Sequence, residues 1–317
     1  MERGSWSASR ATHRKTPPPE SVKRGERRMN RMSFRHLLPV FALALLTVAC
    51  SATAPGPATG FSLSSEPLLG KFVWHDLVTD DPVKARRFYS GLLGWEFEQT
   101  THPLGGDYTL ISLDGQFVGG MVSLADPAGA DYSRWLPYLS VADVDSAVRF
   151  TESAGGSAVV APLELGNVGR AAAVTDPQGA VVGLLRSRVG DPDDSIPPTE
   201  GRIVWDELLA ADSAMAARFY GSLAGLEAST ITRRGGEYTL LRTQGRDRAG
   251  IMERPDARVA PLWLTHFAVA DVTAAARRAA ELGGKVLLAP SPELREGTFA
   301  VVTDPGGAIL ALAQLPQ

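Results

Sequence analysis

From residue 70 onward the apolar positions switch between a two-residue and a helical period, and each switch predicts an element. Phe72 to Val78 alternates and is rich in β-formers, which predicts a strand. Asp81 then stands where a helix N-cap belongs, followed by Ala85, Phe88, Tyr89 and Leu92 at helical spacing. Short strands are expected at Trp95 to Gln99, Tyr108 to Leu113 and Phe117 to Ser123. The order then recurs: a strand at Leu136 to Val141, a helix at Val144 to Ala154, and strands near Val159, Ala171 to Thr175 and Ala180 to Leu185. Strand, helix and three strands is thus the unit, used twice within about 118 residues.

That whole block is duplicated. GKFVWHDLVTDDPVKARRFYSGLLGWE at 70–96 returns as GRIVWDELLAADSAMAARFYGSLAGLE at 201–227, an offset of 131. DYTL at 107 returns as EYTL at 237, VADV at 141 as VADV at 269, and TDPQGA at 175 as TDPGGA at 303. The offset drifts only from 131 to 128, so loop lengths nearly match. The expected organisation is a leader and signal peptide over 1–49, a flexible Ser/Ala/Pro/Gly tether over 50–69, and modules at 70–187 and 201–317. A Pro/Asp-rich linker over 188–200 joins the modules, and the two are expected to pair with each other within the chain.

The leader ends in a different pattern. His36 to Ala49 is an apolar run preceded by Arg31 and Arg35 and followed by Cys50; it is shorter than the ~20 residues that a membrane-spanning helix needs. A basic flank, a short apolar stretch and small residues read as a secretory signal. Leu46-Thr47-Val48-Ala49-Cys50 resembles the lipobox of bacterial lipoproteins, departing from it at Thr47, where Leu is usual. The resemblance implies lipidation at Cys50, a membrane anchor, and a place in the bacterial cell envelope; Ser51 in place of Asp favours the outer membrane, facing the periplasm. Residues 1–28 carry nothing to bury, and Met29 or Met32 is a more natural start.

Charge sharpens this picture. The 317 residues have a net charge of −3, but ten Lys/Arg and three acidic residues lie in 1–49, leaving 22 basic against 32 acidic from Cys50 onward. That balance argues against a dedicated nucleic-acid binder, which needs a clustered basic surface, so no nucleic-acid partner is expected. A single cysteine excludes an internal disulfide, a Cys-rich zinc site and a Cys-x-x-Cys redox pair.

WHDLVTDDPVKARRFYSGLLGWEFE, VADVDSAVRFTESAGG and TDPQGAVVGLL together resemble the vicinal oxygen chelate (VOC) superfamily, whose members include glyoxalase I, extradiol dioxygenases, fosfomycin-resistance transferases and bleomycin-binding proteins. The resemblance spans 70–317 and implies an α+β fold: two tandem VOC domains, each a pair of βαβββ units curled into a half-open barrel around a ligand cavity. It also implies where metal-dependent members place their ligands. Counted from the flanking motifs, the first-strand position falls at Trp74 and Trp205, and the His position of the second unit at Leu136 and Leu264. The closing Glu falls at Gly183 and Ala311, and the strand ending the first unit offers Gly119-Gly120-Met121 and Ala249-Gly250-Ile251. Indole, alkyl and glycine positions hold no divalent metal, so no metal and no other cofactor is expected.

Strand parity leaves a different set facing the cavity. Trp74 and Asp76 share a face in one copy, Trp205 and Glu207 in the other; Tyr138 and His266 share the face of Leu136 and Leu264. Trp74, Asp76, Tyr138, Trp205, Glu207 and His266 are therefore the candidate ligand-binding residues, suited to a small aromatic or cationic compound; none is assigned as catalytic. The bland alternative is that the indoles fill the barrels and the acids bond to neighbouring backbone. A pH-dependent step in the ordinary imidazole range is expected for the His266 copy alone. His75 has the opposite parity and is expected on the helix side. Three functions stay open: a metal-free binding or sequestering lipoprotein, a glyoxalase-, dioxygenase- or hydroxylase-like enzyme, and a non-catalytic envelope scaffold.

Overall fold

Each module's central strand carries apolar residues on both faces, so it must be covered on both. A computed structural model describes residues 63–101, 106–124, 133–233 and 236–316. The apolar run at 36–49 expected to be a signal, Cys50 and most of the expected tether lie outside the described residues. In the first module β1 (Phe72–Thr79) leads into α1 (Pro82–Leu93), then β2 (Glu96–Thr101), β3 (Asp107–Leu113) and β4 (Gln116–Ser123). Its second unit is β5 (Ser133–Ser140), α2 (Val144–Ser153), β6 (Ser157–Glu164), β7 (Gly169–Thr175) and β8 (Val181–Ser187). The second module repeats the order with β9 (Ile203–Ala210), α3 (Ser213–Ala224), β10 (Glu227–Arg233), β11 (Gly236–Thr243) and β12 (Arg246–Glu253). It closes with β13 (Leu262–Val269), α4 (Val272–Glu281), β14 (Lys285–Leu288), β15 (Phe299–Thr303) and β16 (Ile309–Gln314).

The helices start where the sequence places them. Asp81, Asp143, Asp212 and Asp271 each accept the backbone N–H three residues on, which satisfies one of the free donors of a first turn. One expectation shifts: Trp95 does not open β2. It lies buried just before it, and its indole donates to Gly201 O of the second module at 2.7 Å.

Each module forms one eight-stranded mixed sheet, ordered β2-β3-β4-β1-β5-β8-β7-β6 and β10-β11-β12-β9-β13-β16-β15-β14. The sheets are not closed barrels. The two units of a module meet at an antiparallel seam, Trp74 opposite Tyr138 and Asp76 opposite Leu136 in β1–β5, His266 opposite Trp205 and Leu264 opposite Glu207 in β13–β9. Parallel pairs flank the seam, setting Asp76 beside Gly120 and Tyr138 beside Gly183.

The helix-covered faces are shared between modules. Phe88, Tyr89 and Trp95 form one apolar cluster with Phe267, Val272, Ala276 and Leu310 of the other module. Val144 and Val148 of α2 join Phe219, Tyr220 and Trp263 in a second cluster. Burying such aromatics contributes roughly 1.5–3 kcal/mol each, so the concave faces point away from a common apolar layer. His75 is on that inner side, as parity predicts, and its Nε2 lies 2.9 Å from Asp206 Oδ2 of the other module.

Candidate functional site on the concave faces

In the first module Trp74, Asp76 and Tyr138 lie together on one face. Trp74 Nε1 donates to Asp76 Oδ1 at 2.9 Å, and the Tyr108 hydroxyl donates to the same oxygen at 2.8 Å. Asp76 Oδ2 makes no well-formed hydrogen bond with any described group. Burial pushes the Asp76 carboxyl up to about 6, against the hydrogen bonds from Tyr108 and Trp74 that favour the charged form. Above this trio the face is packed: Leu165 and Val168 from the β6–β7 connection bury themselves among Trp74, Leu136, Tyr138 and Ala173. Trp74, Asp76 and Tyr138 are only 1–3% exposed, so the first concave face is filled by its own side chains.

The second module keeps the frame and changes the filling. Trp205 Nε1 donates to the Tyr238 hydroxyl at 2.8 Å, repeating the Trp74–Tyr108 contact. Glu207 is buried, and one carboxylate oxygen takes a hydrogen bond from Arg295 Nη2. His266 replaces Tyr138; its Nε2 lies 3.9 Å from Glu207 Oε1 and has no hydrogen-bond partner among the described residues. Burial pushes His266 down to about 4, opposed by Glu207 and Asp206 and assisted by Arg295, so the imidazole is neutral at pH 7. The expected step in the ordinary imidazole range is displaced accordingly. Tyr238 is held above the usual phenol range by burial first and the Glu207 charge second.

Arg295 reaches the acid from a loop where copy one carries Leu165 and Val168. Its guanidinium also lies over Phe299, 4.5 Å from the ring centroid. Arg295 and Glu296 both have positive φ, 47° and 57°, a conformation disfavoured for side-chain-bearing residues. Trp205 and Arg295 are part-exposed while Glu207 and His266 lie beneath them.

Two sets of residues were missed by the parity argument. Tyr108 and Tyr238 sit in the repeated D/E-Y-T-L segment, which marked them as equivalent but gave no face. Arg295 lies in an irregular loop with no period to read.

The family model described as "Glyoxalase/Bleomycin resistance protein/Dioxygenase superfamily" matches residues 71–184 and 202–312. The chain belongs to this superfamily. Among its relatives, the Mycobacterium tuberculosis protein named "Putative glyoxylase CFP32" is 34% identical over 252 residues, 77% of this chain and 95% of that protein. The anthracycline biosynthesis protein DauV of Streptomyces is 30% identical over 261 residues, 78% of this chain and 94% of that protein. In fold, the chain is similar to the 2,2',3-trihydroxybiphenyl 1,2-dioxygenase of Sphingomonas wittichii, with TM-score 0.53 and 16% identity over 78% of this chain and 91% of that one.

The metal of metal-dependent superfamily members does not fit the residues present here. Where closing carboxylates belong, Gly120 and Gly183 leave room for other side chains. A Cβ on Gly183 would stand 2.0 Å from Tyr138 Cδ1, and one on Gly120 would stand 2.2 Å from Tyr108 Cζ. In the second module a Cβ on Gly250 would meet Tyr238 Cζ at 2.4 Å. Tyrosines thus occupy the space the ligands would need. Among the described residues no three His, Cys, Asp or Glu side chains are grouped to hold a metal.

Proposed function

We propose that this protein is a metal-independent small-molecule binder of the glyoxalase/bleomycin resistance/dioxygenase superfamily, and that the second module's concave face is the binding site. The observation that carries the reading is the buried, unpartnered His266 Nε2 beside Glu207, beneath a part-exposed Arg295 and Trp205. A buried polar atom left unsatisfied costs about 1–3 kcal/mol, which a ligand hydroxyl or carbonyl would recover. The Trp205 indole supplies a face for an aromatic ring. Because Arg295 already neutralises Glu207, a cationic ligand must displace it, whereas a neutral polar aromatic can leave it in place. The packed first module serves as the structural partner.

The finer reading follows the sequence. The chain is exported, acylated at Cys50 and held at the outer membrane facing the periplasm, where it sequesters its ligand. The test combines metal analysis with ligand titration. Protein expressed from Ser51 and purified without chelator should carry far less than one metal per chain, and Trp fluorescence should respond to a neutral phenolic compound. Glu207→Gln and His266→Leu should weaken that response without changing the first module's fold.

A catalytic reading is favoured by one feature, the neutral imidazole beside a buried carboxylate, which could move a proton on a bound carbonyl compound. Deuterium uptake from solvent into a small dicarbonyl compound, present in the wild type and lost in Glu207→Gln and His266→Gln, would establish it. The scaffold reading would stand if neither binding nor exchange occurred.

A further inference from the structure

A cavity of about 490 Å³ lies between the two modules, beside the linker. Trp74 and Trp205 of the concave faces also reach its wall, whereas Glu207, His266 and Arg295 do not. Its walls come from the first residues of β1 and β9, from the β4 and β12 ends, and from the linker at 192–198. Arg202 Nη2 of one module donates to Gln116 Oε1 of the other, closing one side. Its volume is within the range of small-molecule sites, ~300–1,000 Å³.

Its wall carries four basic residues, Lys71, Arg202, Arg246 and Arg248, and four acidic ones, Asp193, Asp194, Asp206 and Asp247, but their pairing is uneven. Asp194, on the linker, accepts from Arg248 at 2.7 Å and Lys71 at 3.0 Å, with Arg246 at 3.4 Å. One carboxylate therefore serves three cations. Asp247 is engaged with Arg242, and Asp206 with His75 and Thr265. The Arg248 side chain is 3% exposed, with Nε donating to Thr243 and Nη1 to Asp194. Its Nη2 is buried with no hydrogen-bond partner among the described residues. A guanidinium held this far from water with an unused donor is a strong attractor for an anionic oxygen. Phe72, Phe117, Ile196 and Ile203 are among the apolar residues of the wall.

We propose that this inter-module cavity binds an organic monocarboxylate with an apolar or aromatic body, its carboxylate on Arg248 Nη2 and its body between Phe72, Phe117 and Ile196. The one unused guanidinium donor calls for one anionic group, whereas the nearby Asp193 and Asp194 disfavour a dianion. The site exists only where both modules and the linker meet, so its occupancy would tie the linker down.

Benzoate, its uncharged isostere benzamide and inorganic phosphate are the probes, titrated calorimetrically into the chain from Ser51. Benzoate should bind at least about tenfold more tightly than benzamide, in line with one charge-assisted hydrogen bond. Arg248→Gln should erase that preference, and Ile196→Trp, which fills the cavity from the linker and keeps Arg248, should abolish benzoate binding. The second variant decides the matter if Arg248→Gln does not fold. Arg295→Gln, in the concave site, should leave benzoate binding unchanged, which separates this proposal from the preceding one. Equal binding of benzoate and benzamide, no benzoate binding at millimolar concentration, or phosphate binding as well as benzoate would each overturn it.

Discussion

The Tyr220 hydroxyl of the second module donates to Asp176 Oδ2 of the first at 3.1 Å. Asp176 belongs to the T-D-P-Q-G-A turn, and its other oxygen accepts the N–H groups of Gln178 and Ala180. Tyr89 and Asp304 repeat the contact in the opposite direction at 3.3 Å. The two turn motifs are therefore joints between modules as well as local caps. The joints differ in one respect: Asp304 Oδ2 also accepts from Ser133, at 2.9 Å.

That difference sets the first prediction. Tyr220→Phe leaves Asp176 Oδ2 without its side-chain donor, whereas Tyr89→Phe leaves Asp304 Oδ2 with Ser133. Tyr220→Phe should cost about 1–3 kcal/mol and Tyr89→Phe less. Urea unfolding of both variants checks the order, and equal losses would refute it.

The periodic and repeated parts of this fold were legible because β1, β9 and their helices obey one period each over many residues. The faces of Trp74, Asp76, Glu207 and His266 followed from parity for the same reason. What could not be read depends on how the modules pack. Asp206 is the copy-two equivalent of His75, and nothing local says that the two meet. Nor does any period announce that Leu165 and Val168 cover one concave face while Arg295 covers the other, because those loops have none.

The second prediction uses the Asp76 carboxyl, raised from 3.8 to about 6. A raised folded value means the native state holds the proton more tightly, so this group's stabilisation is fully present below pH 3.8 and lost as pH rises through about 6. Above that, native protein carries a buried charge. Asp76→Asn should therefore gain stability relative to wild type at pH 8, by on the order of 1–3 kcal/mol, and show no such gain at pH 4. Thermal unfolding at the two pH values provides the measurement; a pH-independent difference would contradict it.

The third concerns Gly183, which has ordinary backbone angles, so only space is at issue. The added Cβ would stand 2.0 Å from Tyr138 Cδ1. Gly183→Ala should destabilise the first module by about 1–3 kcal/mol through overpacking. Tyr138→Leu in the same chain should recover part of that loss. A non-additive double-mutant cycle is the expected result, and strict additivity would show that the ring moves freely away.

The last prediction follows the neutral imidazole of the second module. His266 lies at about 4 because burial penalises its charged form, with Arg295 adding to that penalty while Glu207 and Asp206 oppose it. Arg295→Gln removes a positive charge and frees Glu207, and both changes favour the imidazolium, so the His266 value should rise. Glu207→Gln removes the opposing negative charge and should lower it further. The stability sign follows from the same depression: the contribution is complete above 6.5, the ordinary value, and is lost as pH falls towards about 4. Arg295→Gln should narrow that window from below, and Glu207→Gln should widen it. NMR titration of the His266 ring protons in the three proteins reads the order directly. If both substitutions moved the titration the same way, the charges on Arg295 and Glu207 would not be what His266 senses. Arg295 could then not be the group that sets the charge of the second concave face.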